Sequence, residues 1–372
     1  MILRKVFINN INESLQLVQK VGCSKSVCVP LAKKGISNTI LINKMNNKGL
    51  NILKQEAISV GADVAVNENV SKFKCGMSNA VLFANSSQIT KLINKLSLQP
   101  FGLQEFALKL KKILNTKIVF QCKNKCFNLE YPVIMGVISN ILDPQKALKR
   151  AIIFKKLGVN ILSIETHSSN LYDSTTEIKI LSPILKIIRK YVPIPISIYT
   201  YKYKTAKFAL NEGADIIHDV FALNKGCKKL AILISQQKAG LILVYSKDMT
   251  KMNSTDYIYK VYDFFIKRKQ YAMKFGIEEQ YIAVDLGFSL TTNIAHTIKL
   301  MKSINMFSSL GAVVGTVSNK RESMLNPFFK NHQTTSIIEN LLILLYGGNI
   351  IKVHDVKTTT NIINFLKVLQ KI

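Results

Sequence analysis

The sequence predicts a (β/α)₈ barrel preceded by a smaller α/β unit, and three observations carry that prediction. From Tyr131 onward, short β-branched runs alternate with longer stretches of helical periodicity. Eight strand-plus-helix units fit into about 240 residues, the size of a barrel of this class. Small turns with glycine (Leu157-Gly158, Glu212-Gly213, Gly276-Ile277, Gly347-Gly348) precede several strands, where glycine caps the end of the helix before. An open doubly wound sheet would carry fewer strands and a glycine-rich first turn. Neither G-x-G-x-x-G nor G-x-x-x-x-G-K-[ST] occurs.

Taken in order, the expected barrel strands are Val133–Ile138, Ile161–Ile164, Ile194–Tyr199, Ala214–Ile217, Leu241–Tyr245, Tyr281–Asp285, Gly311–Gly315 and Ile350–Val353. Helical periodicity fills Pro144–Leu157, Thr175–Tyr191, Thr205–Asn211, Asp256–Phe275 and Ile294–Ile304 between them. Residues 1–130 form the smaller unit, with an opening strand-helix pattern, helices at Asn51–Val60 and Gln104–Leu114, and a connection at Asn115–Leu129. Residues 131–372 form the barrel. No catalytic constellation is visible before His167, the first histidine of the chain.

Composition narrows the function. The 372 residues include 51 Lys+Arg against 22 Asp+Glu, a formal net charge of +29. Hydrophobic residues make up 48%, which excludes a disordered polyelectrolyte. Only Arg4, Arg150, Arg189, Arg268 and Arg321 are arginines. A nucleic-acid binder would use more Arg for bidentate phosphate and guanine contacts, so the Lys-rich charge reads as background composition. The N-terminus has no signal-peptide pattern, and no run of about 18 apolar residues exists to span a membrane. Six scattered cysteines fit reduced thiols in the cytoplasm rather than a disulfide frame, and Cys122 and Cys126 have no second pair at zinc-site spacing.

In a barrel of this kind the chemistry sits at the C-terminal ends of the strands. Those ends carry Glu165-Thr166-His167-Ser168, Tyr199-Thr200, His218-Asp219, Tyr245-Ser246-Lys247 and Asp285, then Thr316, Ser318 and Lys320-Arg321, and finally Lys352, His354 and Asp355. Some have purely structural readings as well: His218 as a histidine bonded to Asp219, Tyr199 and Tyr245 as rim aromatics, Lys320 and Arg321 as a solvated loop. Asp285 is the hardest to explain without a ligand, because a carboxylate ending a buried parallel strand is costly when nothing binds it.

These strand ends resemble those of the dihydropteroate synthases, a pterin-binding barrel family. The likeness rests on IMGVI (134–138), ISIYTYKYKTAKFALNEGADIIHDV (196–220), VDLGFSLTTNIAHTIKLM (284–301), LGAVVGTVSNK (310–320) and KVHDV (352–356). In residues 1–130, NILKQEAISVGADVAV (51–66) and LQPFGLQEFA (98–107) are similar to an N-terminal extension found in one subgroup. The resemblance implies a transferase that condenses a hydroxymethyl-dihydropterin diphosphate with para-aminobenzoate, with Mg²⁺ assisting loss of diphosphate. It implies a pterin site at Asp285, and at Lys320 if one residue is inserted before it. It also implies anion binding at His354, with Lys352 in place of the usual Arg, and Asp219 in the strand-4 position. Substrate contacts are expected at His167 and Ser168 in the second loop. The Mg²⁺-linked Asn falls at Asn140 or, without a shift, at Ser139.

Departures from the family pattern are also plain. Tyr199 stands where a pterin-facing Asp is usual, His218 where an Asn is usual, and Thr292 where a Lys is usual. The second loop lacks its Arg. The expectations are therefore an active synthase, a homodimer by the same resemblance, or a barrel that binds pterin without turnover. A barrel enzyme using Lys320, Lys352 and His354 on another anionic substrate is a further reading.

Overall fold

A computed structural model describes residues 6, 8, 10–115, 118–166, 172–224, 228–246, 254–288, 294–316 and 332–369. The chain divides into two compact units, 1–116 and 117–372.

The first unit opens with helices Ile11–Lys20 and Lys25–Ala32. A three-stranded antiparallel sheet follows, built from β1 (Ser37–Asn46), β2 (Asp63–Val66) and β3 (Met77–Asn85) in the order β1-β3-β2. Helices Asn47–Ser59, Ser86–Leu96 and Leu103–Asn115 complete it. Leu50, Leu53, Leu82, Ile89, Leu92, Leu103 and Leu110 are fully buried in its core, each contributing about 1.5–3 kcal/mol by leaving water. Helix Ser86–Leu96 starts where it does because Asn85 and Gln88 form a reciprocal capping box.

The second unit begins with a hairpin, β4 (Val119–Cys122) and β5 (Lys125–Asn128), where the sequence suggested only a connection. Eight parallel strands then close a barrel: β6 (Val133–Ser139), β7 (Ile161–Glu165), β8 (Ile196–Tyr199), β9 (Ile216–Asp219), β10 (Gly240–Val244), β11 (Ile282–Asp285), β12 (Ala312–Thr316) and β13 (Ile350–Val353). All eight expected strands are present, with ends shifted by up to two residues. The helix expected at 294–304 is broken into Ile294–Lys302 and the short turn Ile304–Phe307.

Two-residue alternation sends every second barrel side chain inward. Val133, Met135, Ile161, Ile216, Ile242, Ala283, Ala312, Val314 and Ile350 share one interior cluster with Phe120 and Cys122 of the hairpin. The hairpin packs so closely that a Cβ on Gly240 would lie 2.8 Å from the Phe120 ring. Residues of the opposite parity, such as Ile134, Leu162, Ile196 and Leu241, pack instead with the surrounding helices.

Candidate active site

Continuing the inward rows toward the C-terminal ends of the strands brings Glu165, Tyr199, His218, Asp285, Thr316 and Lys352 together. Asp285 is almost fully buried. Its Oδ1 accepts from the Gly287 N–H (2.9 Å), and its Oδ2 accepts from Thr316 Oγ1 (2.8 Å). His218 Nε2, reaching past β10, lies 3.0 Å from the same Oδ2. His218 is thus bonded to Asp285 and not to its neighbour Asp219, as one sequence reading had it. Gly287 makes the first of these bonds possible: its φ is +65°, and a Cβ there would collide with the Tyr245 carbonyl.

A second pair crosses β6. Lys352 Nζ lies 2.7 Å from Glu165 Oε1, and Ser163 Oγ donates to the same oxygen at 3.4 Å. The Lys352 ammonium also sits 4.4 Å from the centre of the Tyr199 ring, whose edge meets the His218 ring at 5.1 Å between centroids. The Lys352–Glu165 ion pair and the His218–Asp285 hydrogen bond therefore flank an aromatic ring in one continuous polar cluster.

Electrostatics follow from burial and these partners. Burial opposes ionisation of Asp285, but the His218 hydrogen bond, the His218 charge and Lys352 outweigh it and hold the carboxyl below its usual value. Glu165 is likewise opposed by burial and held low chiefly by Lys352. His218 is pulled both ways: burial and Lys352 favour the neutral ring, the hydrogen bond and charge of Asp285 favour the cation, and burial wins. The pair is an ionised Asp285 accepting from the Nε2–H of a neutral imidazole. Nδ1 then becomes an acceptor, and it is buried with no partner among the described residues. Burial and the carboxylates of Glu165 and Asp285 keep the Tyr199 phenol protonated far above its ordinary range.

The other expected residues are placed differently. Asp219 is fully buried and accepts from the Phe221 and Leu223 N–H groups, both at 2.8 Å, so it shapes the turn after β9. Burial raises its carboxyl to about 6. His354, one residue past β13, is half-buried; its carbonyl accepts from Arg150 at 3.5 Å, and burial keeps its ring neutral. Asn140 is exposed just beyond β6, with φ of +56°. His167, Ser168 and Lys320 lie outside the described residues, as do Thr292 and Arg321. Glu165, Thr316 and Ser163 were given no role from the sequence. Their signal was parity: each falls on the inward row of its strand.

A closed parallel barrel with a buried carboxylate, hydrogen-bond acceptors and an aromatic ring at its strand ends defines a barrel enzyme that binds a polar, flat substrate. The model of the pterin binding enzyme family matches residues 137–354. The chain belongs to that family, whose members include the dihydropteroate synthases. A bifunctional dihydropteroate synthase/dihydropteroate reductase of Helicobacter pylori is 24% identical over 95% of this chain and 96% of its own length. A dihydropteroate synthase of Streptococcus pyogenes is 30% identical over 60% of this chain and 87% of its own. Among solved structures, a Coxiella burnetii dihydropteroate synthase in complex with pteroic acid superposes with a TM-score of 0.62 at 25% identity. It covers 68% of this chain and 98% of that one.

Proposed function

We propose that the barrel is a dihydropteroate synthase, joining a hydroxymethyl-dihydropterin diphosphate to para-aminobenzoate. The observation that carries this is the buried, ionised Asp285 beside the Nδ1 of His218, which has no partner among the described residues: two acceptors suited to the N–H groups along one edge of a pterin. In the reaction the aniline nitrogen attacks the methylene carbon, the C–O bond to diphosphate breaks with its electrons, and the nitrogen loses a proton. The chain holds the ring at Asp285 and His218, and offers the leaving diphosphate the Lys352 ammonium, the His354 ring as a neutral donor and, by resemblance, Lys320.

Asn140 offers a hard amide oxygen that fits Mg²⁺. No group of three His, Cys, Asp or Glu suited to a metal occurs among the described residues, so the substrate diphosphate would supply the other protein-independent ligands. When bound, Mg²⁺ neutralises charge on the leaving diphosphate. Purified protein with both substrates and Mg²⁺ should form dihydropteroate. Tight pterin binding with no product at high enzyme concentration would sink the synthase reading and leave a binding barrel.

A second reading is favoured by the span of the Helicobacter pylori relative, which is named for two activities and matches nearly the whole chain. The Streptococcus relatives, named for the synthase alone, match only 60% of it. Residues 1–116, which lie outside the matched family region 137–354, belong in this reading to a dihydropteroate reductase. Hydride would pass from a reduced nicotinamide or flavin to the carbon of the ring's remaining C=N bond, and a proton to its nitrogen. Oxidation of the donor when dihydropteroate is added, followed as loss of the reduced-nicotinamide band or return of the oxidised-flavin band, tests it. The dimer is also part of the proposal. Adjacent helices His332–Leu345 and Val356–Leu369 expose Ile337, Leu345, Phe365, Val368 and Leu369, and light scattering should give twice the chain mass. Cytoplasmic placement accords with the free thiols of Cys23, Cys28, Cys75, Cys122 and Cys126. No described helix is long and apolar enough to cross a membrane.

A further inference from the structure

A cavity of about 400 Å³ lies wholly within residues 1–116, in the size range of small-molecule sites. One wall is the stretch Ile40–Asn46 of β1; the other is helix Leu103–Asn115, through Phe106, Lys109, Leu110 and Ile113. Because β1 pairs only with β3, its outer edge carries backbone N–H and C=O groups with no strand partner among the described residues. Such an edge offers alternating donors and acceptors at fixed spacing, the complement of a heteroaromatic ring edge.

The backbone around the cavity is shaped at some cost. Register slips between Ile42 and Met45, and Lys44 takes a φ of +54° with its N–H held by Asn79 Oδ1 at 3.0 Å. Phe101, also on the lining, has a φ of +58°. Left-handed conformations are unfavourable for non-glycine residues, and they persist where surrounding structure holds them, often at ligand sites. The walls are largely apolar, while Lys44 and Lys109 bring cations, the latter paired with Glu105 at 2.6 Å.

We propose that this cavity is a second pteroate site, taking the flat ring along the β1 edge between apolar walls and the benzoate carboxylate toward Lys44 and Lys109. The inference rests on the reductase reading, to which it supplies a binding site in the unit that lies outside the matched family region.

Calorimetry of the full chain with 7,8-dihydropteroate tests it. The wild type should bind two equivalents. Asp285→Asn should keep the cavity equivalent and weaken the barrel one about 10- to 100-fold. Ile113→Trp, a filling substitution at a half-exposed helix position, should bind one, at the barrel. Lys44→Asn removes a cation and keeps a residue type that tolerates the left-handed backbone, and should weaken the second site at least tenfold. One equivalent in the wild type, or two undiminished equivalents in both Ile113→Trp and Lys44→Asn, would overturn the proposal. A peptide-binding edge would give the first of these outcomes. The reductase reading is judged separately: two equivalents bound with no hydride transfer removes that reading and leaves the site.

Discussion

A carboxylate buried at the end of a parallel strand costs several kcal/mol unless donors surround it, and among the described residues Asp285 has three: Gly287 N–H, Thr316 Oγ1 and His218 Nε2. A carboxylate has about four lone-pair sites, so room remains for a ligand donor. Asp285→Asn keeps the size but turns one acceptor into a donor facing groups that themselves donate. Pterin affinity should fall about 10- to 100-fold, the worth of one hydrogen bond to a charged group, and unchanged affinity by calorimetry would put the pocket elsewhere. His218 adds a pH dependence. It is faced by Asp285, Glu165, Lys352 and Tyr199, and its folded-state value lies below 6.5. Stability from the neutral ring is complete above 6.5 and is lost as pH falls through the lower folded value. Protonating Nδ1 also removes the acceptor, so pterin binding should weaken over the same acidic interval. His218→Asn, which cannot gain that proton, should flatten the binding profile between pH 5 and about 6.5.

At the scale of elements, two short segments hold the cluster in place. The turn after β9 folds around Asp219, with Ala222 and Leu223 left-handed at φ of +49° and +57° and Arg268 bonded to their carbonyls. Asp219→Ala strips the acceptor from two N–H groups and should cost about 2–3 kcal/mol in urea unfolding. The Glu165–Lys352 pair tests whether the buried ions support one another. Lys352→Met alone leaves Glu165 uncompensated, a loss of about 3–5 kcal/mol. Adding Glu165→Gln should restore most of that stability, and additive losses would refute the pairing. Much of this architecture was legible, because strands and helices announce themselves through period and glycine caps. Asp285, Tyr199, His218 and Lys352 were legible as strand-end residues. Their pairing was not: His218 with Asp285 and Glu165 with Lys352 each join strands separated by a third, and only barrel closure sets such distances. Asp219 was misleading for a related reason. Its outward parity turns it toward the following loop rather than the barrel mouth, and adjacency to His218 in sequence implied a contact that a strand's alternation forbids.

For the whole molecule, the +29 charge sets a balance that the local ion pairs do not offset. Among the described residues, the fully exposed ion pairs are single Lys–Glu contacts on helix faces, Lys72–Glu68 and Lys109–Glu105, and exposed pairs of this kind contribute about 0–1 kcal/mol. With more than two basic residues for every acidic one, long-range repulsion among lysines exceeds that attraction at low ionic strength. The Debye length falls from about 30 Å at 0.01 M to about 8 Å at 0.15 M, so added salt screens the many distant like charges before it reaches the few close pairs. The melting temperature should therefore rise as sodium chloride increases from 10 to about 150 mM, whereas a fold held by surface ion pairs would soften. Pterin binding should change less over that range, because Asp285, His218 and Lys352 are buried together and screened by protein rather than solvent. A diphosphate ligand, drawn in by the overall field, should lose association rate with salt while a neutral pterin does not. Stopped-flow binding of the two ligands at both salt concentrations separates the field of the whole chain from the chemistry of its barrel.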